Sequence, residues 1–132
     1  MIFGIGCDIV NVSRFRHWIG KPAMIERFFN EKEMLESDRA SEQKFAEHYA
    51  VRFAAKEAFG KALGTGLEGW QLKDVYIQKD EKGKPSLFVE GSALNVLEER
   101  TGEKYNTERL KIHVSLSHEK EYALAYAVIE GR

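Results

Sequence analysis

The fold of this chain is decided by the stretch Val51-Arg52-Phe53-Ala54-Ala55-Lys56-Glu57-Ala58-Phe59-Gly60-Lys61-Ala62-Leu63-Gly64-Thr65-Gly66. It predicts the second half of a helix that begins at Glu42 and ends at a glycine turn after Leu63. At about 100° per residue the aromatic side chains do not form a separate face of the helix, because Arg52 and Lys56 point in the same direction as they do. Charged side chains are therefore expected among core-type residues of this helix.

Two interpretations of the charges near the glycine turn stay open. Arg52, Lys56 and Lys61, together with the turn Gly64-Thr65-Gly66, are candidates for holding a phosphate. A phosphate loop normally opens a helix, where the dipole is positive, whereas these glycines close one, so the lysines and a metal must supply the charge. The alternative is a plain glycine C-cap preceded by cations that complement the helix dipole.

Length and composition indicate one ordinary globular domain over residues 1–132. The chain is 43% hydrophobic and 31% charged, with a net charge of −1, so nothing global favours nucleic acid or a membrane as partner. A single cysteine excludes an internal disulfide framework and fits a reducing compartment. The first residues lack the basic region of a secretory signal, and no apolar run approaches the ~20 residues of a membrane helix, so we expect a cytoplasmic protein.

A first strand is predicted from Ile2 to Val10. Its alternation separates one face with Phe3, Ile5, Cys7 and Ile9 from another with Gly4, Gly6 and Asp8. Glycines on the second face allow a close approach by another element, with Asp8 beside it.

The remaining pattern predicts an α+β domain. After a short helix capped by Asn11 or Ser13, helices are expected over residues 23–29, 31–37, 42–63 and 92–101, the last with Ser92 as N-cap and Gly102 at its end. Strands are expected over residues 72–78, 85–90, 110–117 and 122–129. This order suggests a mainly antiparallel sheet wrapped on the long helix.

Asp8 and Glu57 are candidates for binding a hard cation. Mg²⁺ typically accepts one or two protein carboxylates and leaves its other positions to water and substrate phosphates. The alternative is that Asp8 caps the next helix, while Glu57 pairs with Lys61 on a solvated helix face.

His113 and Ser117 share the polar face of their strand, opposite Ile112, Val114 and Leu116. His113 suits a proton relay or a phosphate donor, and Ser117 a hydroxyl ligand, although a lone strand histidine is usually structural. Cys7 with His113 is a candidate nucleophile and base for acyl transfer or thioester hydrolysis. Because Cys7 lies among apolar residues, we expect buried packing for it instead.

The segment after the first strand is locally basic. No acid lies between Arg14 and Glu26. A docking face for an acidic partner and a solvated helix face are both compatible with this pattern. The cations concerned are Arg14, Arg16, Lys21 and Arg27.

Three blocks of the chain, taken together, resemble the signature of the holo-acyl-carrier-protein synthases, the small stand-alone 4′-phosphopantetheinyl transferases. The blocks are Gly4-Ile5-Gly6-Cys7-Asp8-Ile9-Val10, the run from Arg52 to Gly66, and His113-Val114-Ser115-Leu116-Ser117-His118 followed by Tyr122-Ala123. Their order and spacing extend the resemblance over the whole chain. At position 7 the family usually has threonine, which puts in doubt only a hydroxyl role at that position.

The resemblance implies transfer of the phosphopantetheine arm of coenzyme A to a serine of apo acyl carrier protein, with release of adenosine 3′,5′-bisphosphate. It also implies homotrimers with active sites between subunits. Carried over by position, Asp8 and Glu57 match the Mg²⁺ carboxylates, and Lys61 matches a pyrophosphate contact. Arg14 and its neighbours match the helix that faces the carrier protein. The positions that match coenzyme-binding residues are Arg52, Gly64, Thr65, Gly66, Pro85, His113 and Ser117.

In the mechanism that follows, Mg²⁺ and Lys61 stabilise the charge that develops as the serine oxygen attacks the β-phosphorus. Glu57, directly or through a water, is the first candidate base, and a phosphate oxygen or another water is the alternative. Two other classes stay open: a thioesterase or acyltransferase based on Cys7 and His113, and a non-catalytic module that binds nucleotide or carrier protein.

Overall fold

The structure is a computed structural model that describes residues 1–35 and 41–131. Two antiparallel sheets surround one long helix, which confirms the expected α+β class. The three-stranded sheet has the order β1-β5-β4, and β2 and β3 form a separate hairpin. The strands are β1 (Ile2–Asn11), β2 (Val75–Lys79), β3 (Pro85–Val89), β4 (Leu110–His118) and β5 (Tyr122–Gly131).

The helices are α1 (Pro22–Phe28), α2 (Glu42–Leu63) and α3 (Gly91–Thr101). In the described part of the chain three 3₁₀ turns accompany them, over Val12–Trp18, Glu31–Glu33 and Leu72–Asp74. The bounds of α2 agree with the sequence prediction, and the Ser41 side chain accepts a hydrogen bond from the Lys44 amide at its start. The middle of α2 is buried on every side, because the sheet covers one side and the turns and hairpin cover the others.

Small residues let the sheet approach α2 closely. A Cβ atom on Gly4 would lie 1.7 Å from the Ala62 carbonyl oxygen, and one on Gly6 would lie 1.8 Å from that of Ala58. Across the sheet, β5 turns Ala123, Ala125, Ala127 and Ile129 towards the helix, all fully buried. No side chain larger than hydrogen fits at the two glycines, so strand and helix backbones meet directly.

The other face of β1 is on the outside of the sheet. Phe3, Ile5 and Ile9 are exposed on the outside of the sheet, and Ile5 and Ile9 keep 64% and 60% of their surface. Cys7 lies with them and is only partly buried, so the prediction of core packing for Cys7 is wrong. The reason is that the glycine face, not the apolar face, supplies the contact with α2.

Other differences are local. The helix expected over residues 31–37 is a single 3₁₀ turn in its described part, and residues 36–37 lie outside the described residues. Ser92 does not cap α3, whose N-cap position is Glu90; instead the Ser92 amide and hydroxyl donate to Asp74 Oδ2 at 2.9 and 2.6 Å. Within residues 1–35 and 41–131, the helices are all too short or too polar to cross a bilayer.

Candidate functional site

The close crossing of β1 and α2 brings Asp8 to the charged side of the helix. Gly6 is on the same strand face as Asp8 and lies against Ala58, so Asp8 emerges beside Glu57 and Lys61. Lys61 Nζ donates to Asp8 Oδ1 at 3.1 Å and to the Cys7 carbonyl at 2.9 Å. The structure therefore brings together the three residues that the sequence proposed for a metal and a pyrophosphate.

Glu57 is held in an environment that disfavours its charge. Partial burial raises the pKa of Glu57, and the neighbouring Asp8 carboxylate raises it further. Lys61 and Arg14 act in the opposite direction. The Arg14 guanidinium lies over the Phe53 ring, 4.9 Å from its centroid, on the helix turn before Glu57.

The donor set of this site fits Mg²⁺. Two carboxylates that repel each other are stabilised by a divalent cation between them, and Asp8 Oδ2 carries no protein hydrogen bond in the described part of the chain. Among residues 1–35 and 41–131, no cluster of three or more metal-ligating side chains exists. Protein atoms would thus supply two ligands, and coenzyme phosphates and water the rest.

The glycine turn closes α2 as a C-cap. Gly64 adopts a φ of 86°, and the amides of Gly64, Thr65 and Gly66 donate to the Gly60 carbonyl at 3.1, 3.2 and 3.0 Å. Trp70 Nε1 donates to the Gly66 carbonyl at 3.0 Å. Since the turn amides are occupied by the helix end, they offer nothing to a phosphate, and side chains must provide that charge.

Lys56 does not belong to a phosphate site, which corrects the grouping of three cations. Its ammonium is fully buried and donates to Glu33 Oε1 at 2.6 Å, to the Leu72 carbonyl at 3.1 Å and to the Val75 carbonyl. Glu33 in turn accepts from the Ile77 amide at 3.1 Å. The pair ties the Asn30 turn and the β2 hairpin to α2, and it is structural.

Arg52 lies beside this buried pair rather than beside Lys61. The two residues are nine positions apart, which places them on opposite sides of α2. Arg52 is 8% exposed, donates to the His48 carbonyl at 3.1 Å, and has no partner for its Nε in the described part of the chain. Burial lowers the pKa of Arg52, and Glu33 partly compensates. Its coenzyme role stays a prediction.

His113 and Ser117 occupy the outer face of the sheet. Ser117 lies opposite Leu124, which pairs with Ile9, whereas Asp8 lies opposite the buried Ala125. One chain therefore places these two residues on the other side of the sheet from Asp8. His113 Nε2 lies 2.9 Å from Glu130 Oε1.

The same face separates Cys7 from His113. Cys7 pairs with Tyr126 and His113 with Val128, so β5 runs between them. Two strand spacings of about 5 Å and an offset of two residues along the strands place them about 12 Å apart. A nucleophile and its base need hydrogen-bond distance, so one chain does not form this pair.

The remaining predicted site residues are Pro85 and the cations of the basic segment. Pro85 begins β3 after a turn in which Asp80 Oδ1 accepts from the amides of Lys82 and Lys84. The four cations of the basic segment are exposed, and none forms an ion pair with another described residue. They are Arg14, Arg16, Lys21 and Arg27.

The residues that contact Lys56, His113 and Glu57 were not predicted from the sequence. Asn30 and Glu33 form a capping box, a spacing that is readable in the sequence, but nothing in it connects Glu33 with Lys56. The contact of His113 with Glu130 depends on strand register, and the position of Arg14 beside Glu57 depends on how the Val12–Trp18 turn packs on α2.

The chain is similar to proteins of one group. A sequence model of the 4′-phosphopantetheinyl transferase superfamily matches residues 4–127. A Treponema denticola protein named holo-[acyl-carrier-protein] synthase is 50% identical over 131 residues, which cover 99% of this chain and all of that protein.

Two solved structures agree in fold. The holo-(acyl-carrier-protein) synthase of Bacillus anthracis in complex with CoA (3′,5′-ADP) matches with a TM-score of 0.76 and 34% identity, over 100% of this chain and 99% of that one. The holo-ACP synthase of Plasmodium yoelii matches with a TM-score of 0.81 and 30% identity, over 100% and 97% of the two chains.

Proposed function

Because the chain belongs to the 4′-phosphopantetheinyl transferase superfamily, we propose that it transfers the phosphopantetheine arm of coenzyme A to a serine of apo acyl carrier protein. The observation that carries this proposal is the group of Asp8, Glu57 and Lys61 at the crossing of β1 and α2. Full-length similarity to proteins named holo-acyl-carrier-protein synthase supports it.

The reaction forms a bond between the serine oxygen and the β-phosphorus and breaks the bond from that phosphorus to the bridging oxygen. Adenosine 3′,5′-bisphosphate leaves with the electron pair of the broken bond. Asp8 and Glu57 would hold Mg²⁺, which when bound supplies positive charge to the diphosphate. The Lys61 ammonium, which lies beside Asp8, would contact the oxygens of the same diphosphate.

Glu57 is the proposed acceptor of the serine proton. Its carboxylate belongs to the same group as Asp8 and Lys61, so it lies beside the diphosphate that the serine attacks. Arg14, next to Glu57, is at the start of the basic segment, so an acidic carrier protein docked there would present its serine close to the base.

The assembly proposed for this chain is a homotrimer with the sites between subunits. The outer sheet face exposes an apolar surface that a second copy can cover, consisting of Phe3, Ile5, Ile9, Tyr122 and Tyr126. His113 and Ser117 lie on that face, away from Asp8, so only residues of different copies can complete one site. The number three is implied by the family resemblance. The cytoplasmic location stays a prediction from the sequence.

Mass spectrometry of apo acyl carrier protein tests the activity. After incubation with this protein, coenzyme A and Mg²⁺, we expect the carrier to gain one phosphopantetheine, and the gain to vanish with a chelator. Glu57→Gln should abolish the gain with the fold intact, whereas Glu42→Gln, an exposed carboxylate on the same helix, should not. No gain with any carrier would refute the function, and normal turnover by Glu57→Gln would refute the role of Glu57.

A further inference from the structure

Glu130 lies next to His113 on the outer face of the three-stranded sheet. In the strand register Glu130 is opposite Lys111 and His113 is opposite Val128, so the two side chains are diagonal neighbours on adjacent strands. Glu130 Oε1 and His113 Nε2 are 2.9 Å apart, which is a hydrogen-bond distance. Although Lys111 is the direct cross-strand neighbour, no ion pair joins it to Glu130 in the described part of the chain. The carboxylate therefore pairs with the imidazole.

This contact fixes which nitrogen of His113 carries a proton. The hydrogen bond from His113 lowers the pKa of Glu130, and the Met1 ammonium and Lys111 lower it further. An ionised carboxylate only accepts hydrogen bonds, so His113 Nε2 must be the donor. The neutral imidazole then has its lone pair on Nδ1.

The Nδ1 atom of His113 remains available to a ligand. Within residues 1–35 and 41–131 it has no hydrogen-bond partner, and the side chain is 56% exposed. The outer sheet face is the one that a second copy is proposed to cover, where His113 joins the site of that copy. Covering this face would shield the pair with Glu130 from water and so strengthen a contact that is worth little on an open surface.

We propose that Glu130 is a positioning residue for His113, and that its carboxylate holds the imidazole in one orientation, with Nε2 as donor and Nδ1 turned to the ligand of the neighbouring copy. The inference rests on the proposed function, which puts His113 in that site. A fixed ring keeps Nδ1 in one place, so binding the ligand does not have to order the side chain. Glu130 itself touches no substrate.

A double-mutant cycle tests whether Glu130 acts through His113. Glu130→Met should lower kcat/KM for coenzyme transfer about tenfold, the effect of losing one charge-assisted hydrogen bond, and should have no further effect in a His113→Gln protein. Glu130→Gln keeps an acceptor oxygen at the same position and should recover most of the loss. Glu99→Gln, an exposed carboxylate on α3, is the matched control and should behave as the unaltered protein. Equal losses from Glu130→Met with and without His113 would overturn the proposal.

NMR of the imidazole nitrogens gives a readout that does not depend on activity. The chain has four histidines, and His113→Gln identifies the signals of His113. At about pH 8.5, where an ordinary histidine is neutral, the unaltered protein and Glu130→Gln should show only the Nε2–H form of His113, and Glu130→Met should show both tautomers. An unchanged spectrum and normal transfer in Glu130→Met would refute the role of Glu130 alone. Failure of the unaltered protein to modify any carrier would instead refute the proposed function.

Discussion

Replacement of Lys56 by methionine separates the structural role of this lysine from phosphate binding. Met has a similar length and no charge, so the change leaves the Glu33 carboxylate fully buried without its cation. Breaking a buried ion pair in this way costs about 3–5 kcal/mol, a large part of the 5–15 kcal/mol that is typical of a domain. At about 3 °C per kcal/mol, Tm should fall by about 10–15 °C.

The assay combines thermal unfolding by circular dichroism with coenzyme transfer at a temperature where the variant is folded. Lys56→Met should lose stability and keep its KM for coenzyme A. Lys61→Met is the contrast, since the Lys61 side chain is 53% exposed: it should keep its Tm and lose transfer. A Lys56 variant with normal Tm and weak coenzyme binding would show that Lys56 contacts phosphate and that the structural assignment is wrong.

A second variant tests the same ion pair if Lys56→Met alone does not fold. Glu33→Gln combined with Lys56→Met removes both charges and keeps an acceptor for the Ile77 amide. The double variant should therefore recover about 2 kcal/mol relative to Lys56→Met. Recovery near zero would argue against a direct pair.

Three further predictions concern packing, pH and assembly. Gly6→Ala should cost at least about 2 kcal/mol of unfolding free energy in urea titration, because its Cβ meets the Ala58 carbonyl. Gly102→Ala meets no atom within 4 Å and costs only the strain of its positive φ, about 1 kcal/mol, so a cost at Gly6 no greater than this would contradict the close crossing. Burial lowers the pKa of His48 from 6.5 to about 4, so the unfolded chain binds more protons between these values, and stability should fall as pH drops through this window, by up to about 3 kcal/mol. A His48→Gln variant should lack this dependence, and an equally steep pH profile would disprove the assignment. Ile5→Glu on the outer sheet face should convert the proposed trimer to monomers in light scattering, and an assembly unchanged by this substitution would argue against that interface.

Short-range signals made most of the fold predictable. Helix α2 has the predicted bounds, and Gly64 has the positive φ that a glycine C-cap requires. The alternation of β4 correctly separated His113 and Ser117 from the apolar side of the strand. These features are local, since each depends on a few neighbouring residues and on the period of one element.

Features that depend on distant segments were less predictable. The glycines of β1 correctly indicated a close approach, but Cys7, which was expected in the core, lies on the opposite, outer face of the strand. Lys56 and Lys61 look equally suited to phosphate in the sequence, yet one is buried against Glu33 and the other is exposed beside Asp8. The hydrogen bond from Arg100 on α3 to the Leu63 carbonyl at the end of α2 connects residues 37 positions apart, and no pattern in the sequence predicts it.

By itself, the sequence determined the order of helices and strands, the glycine C-cap of the long helix and the signature residues that identify the superfamily. Only the tertiary structure decided which charges are structural and which are available to a ligand. The physical reason is that burial and ion pairing depend on where elements cross. Gly4 and Gly6 let two backbones meet, and that contact alone puts Asp8 beside Glu57 and Lys61.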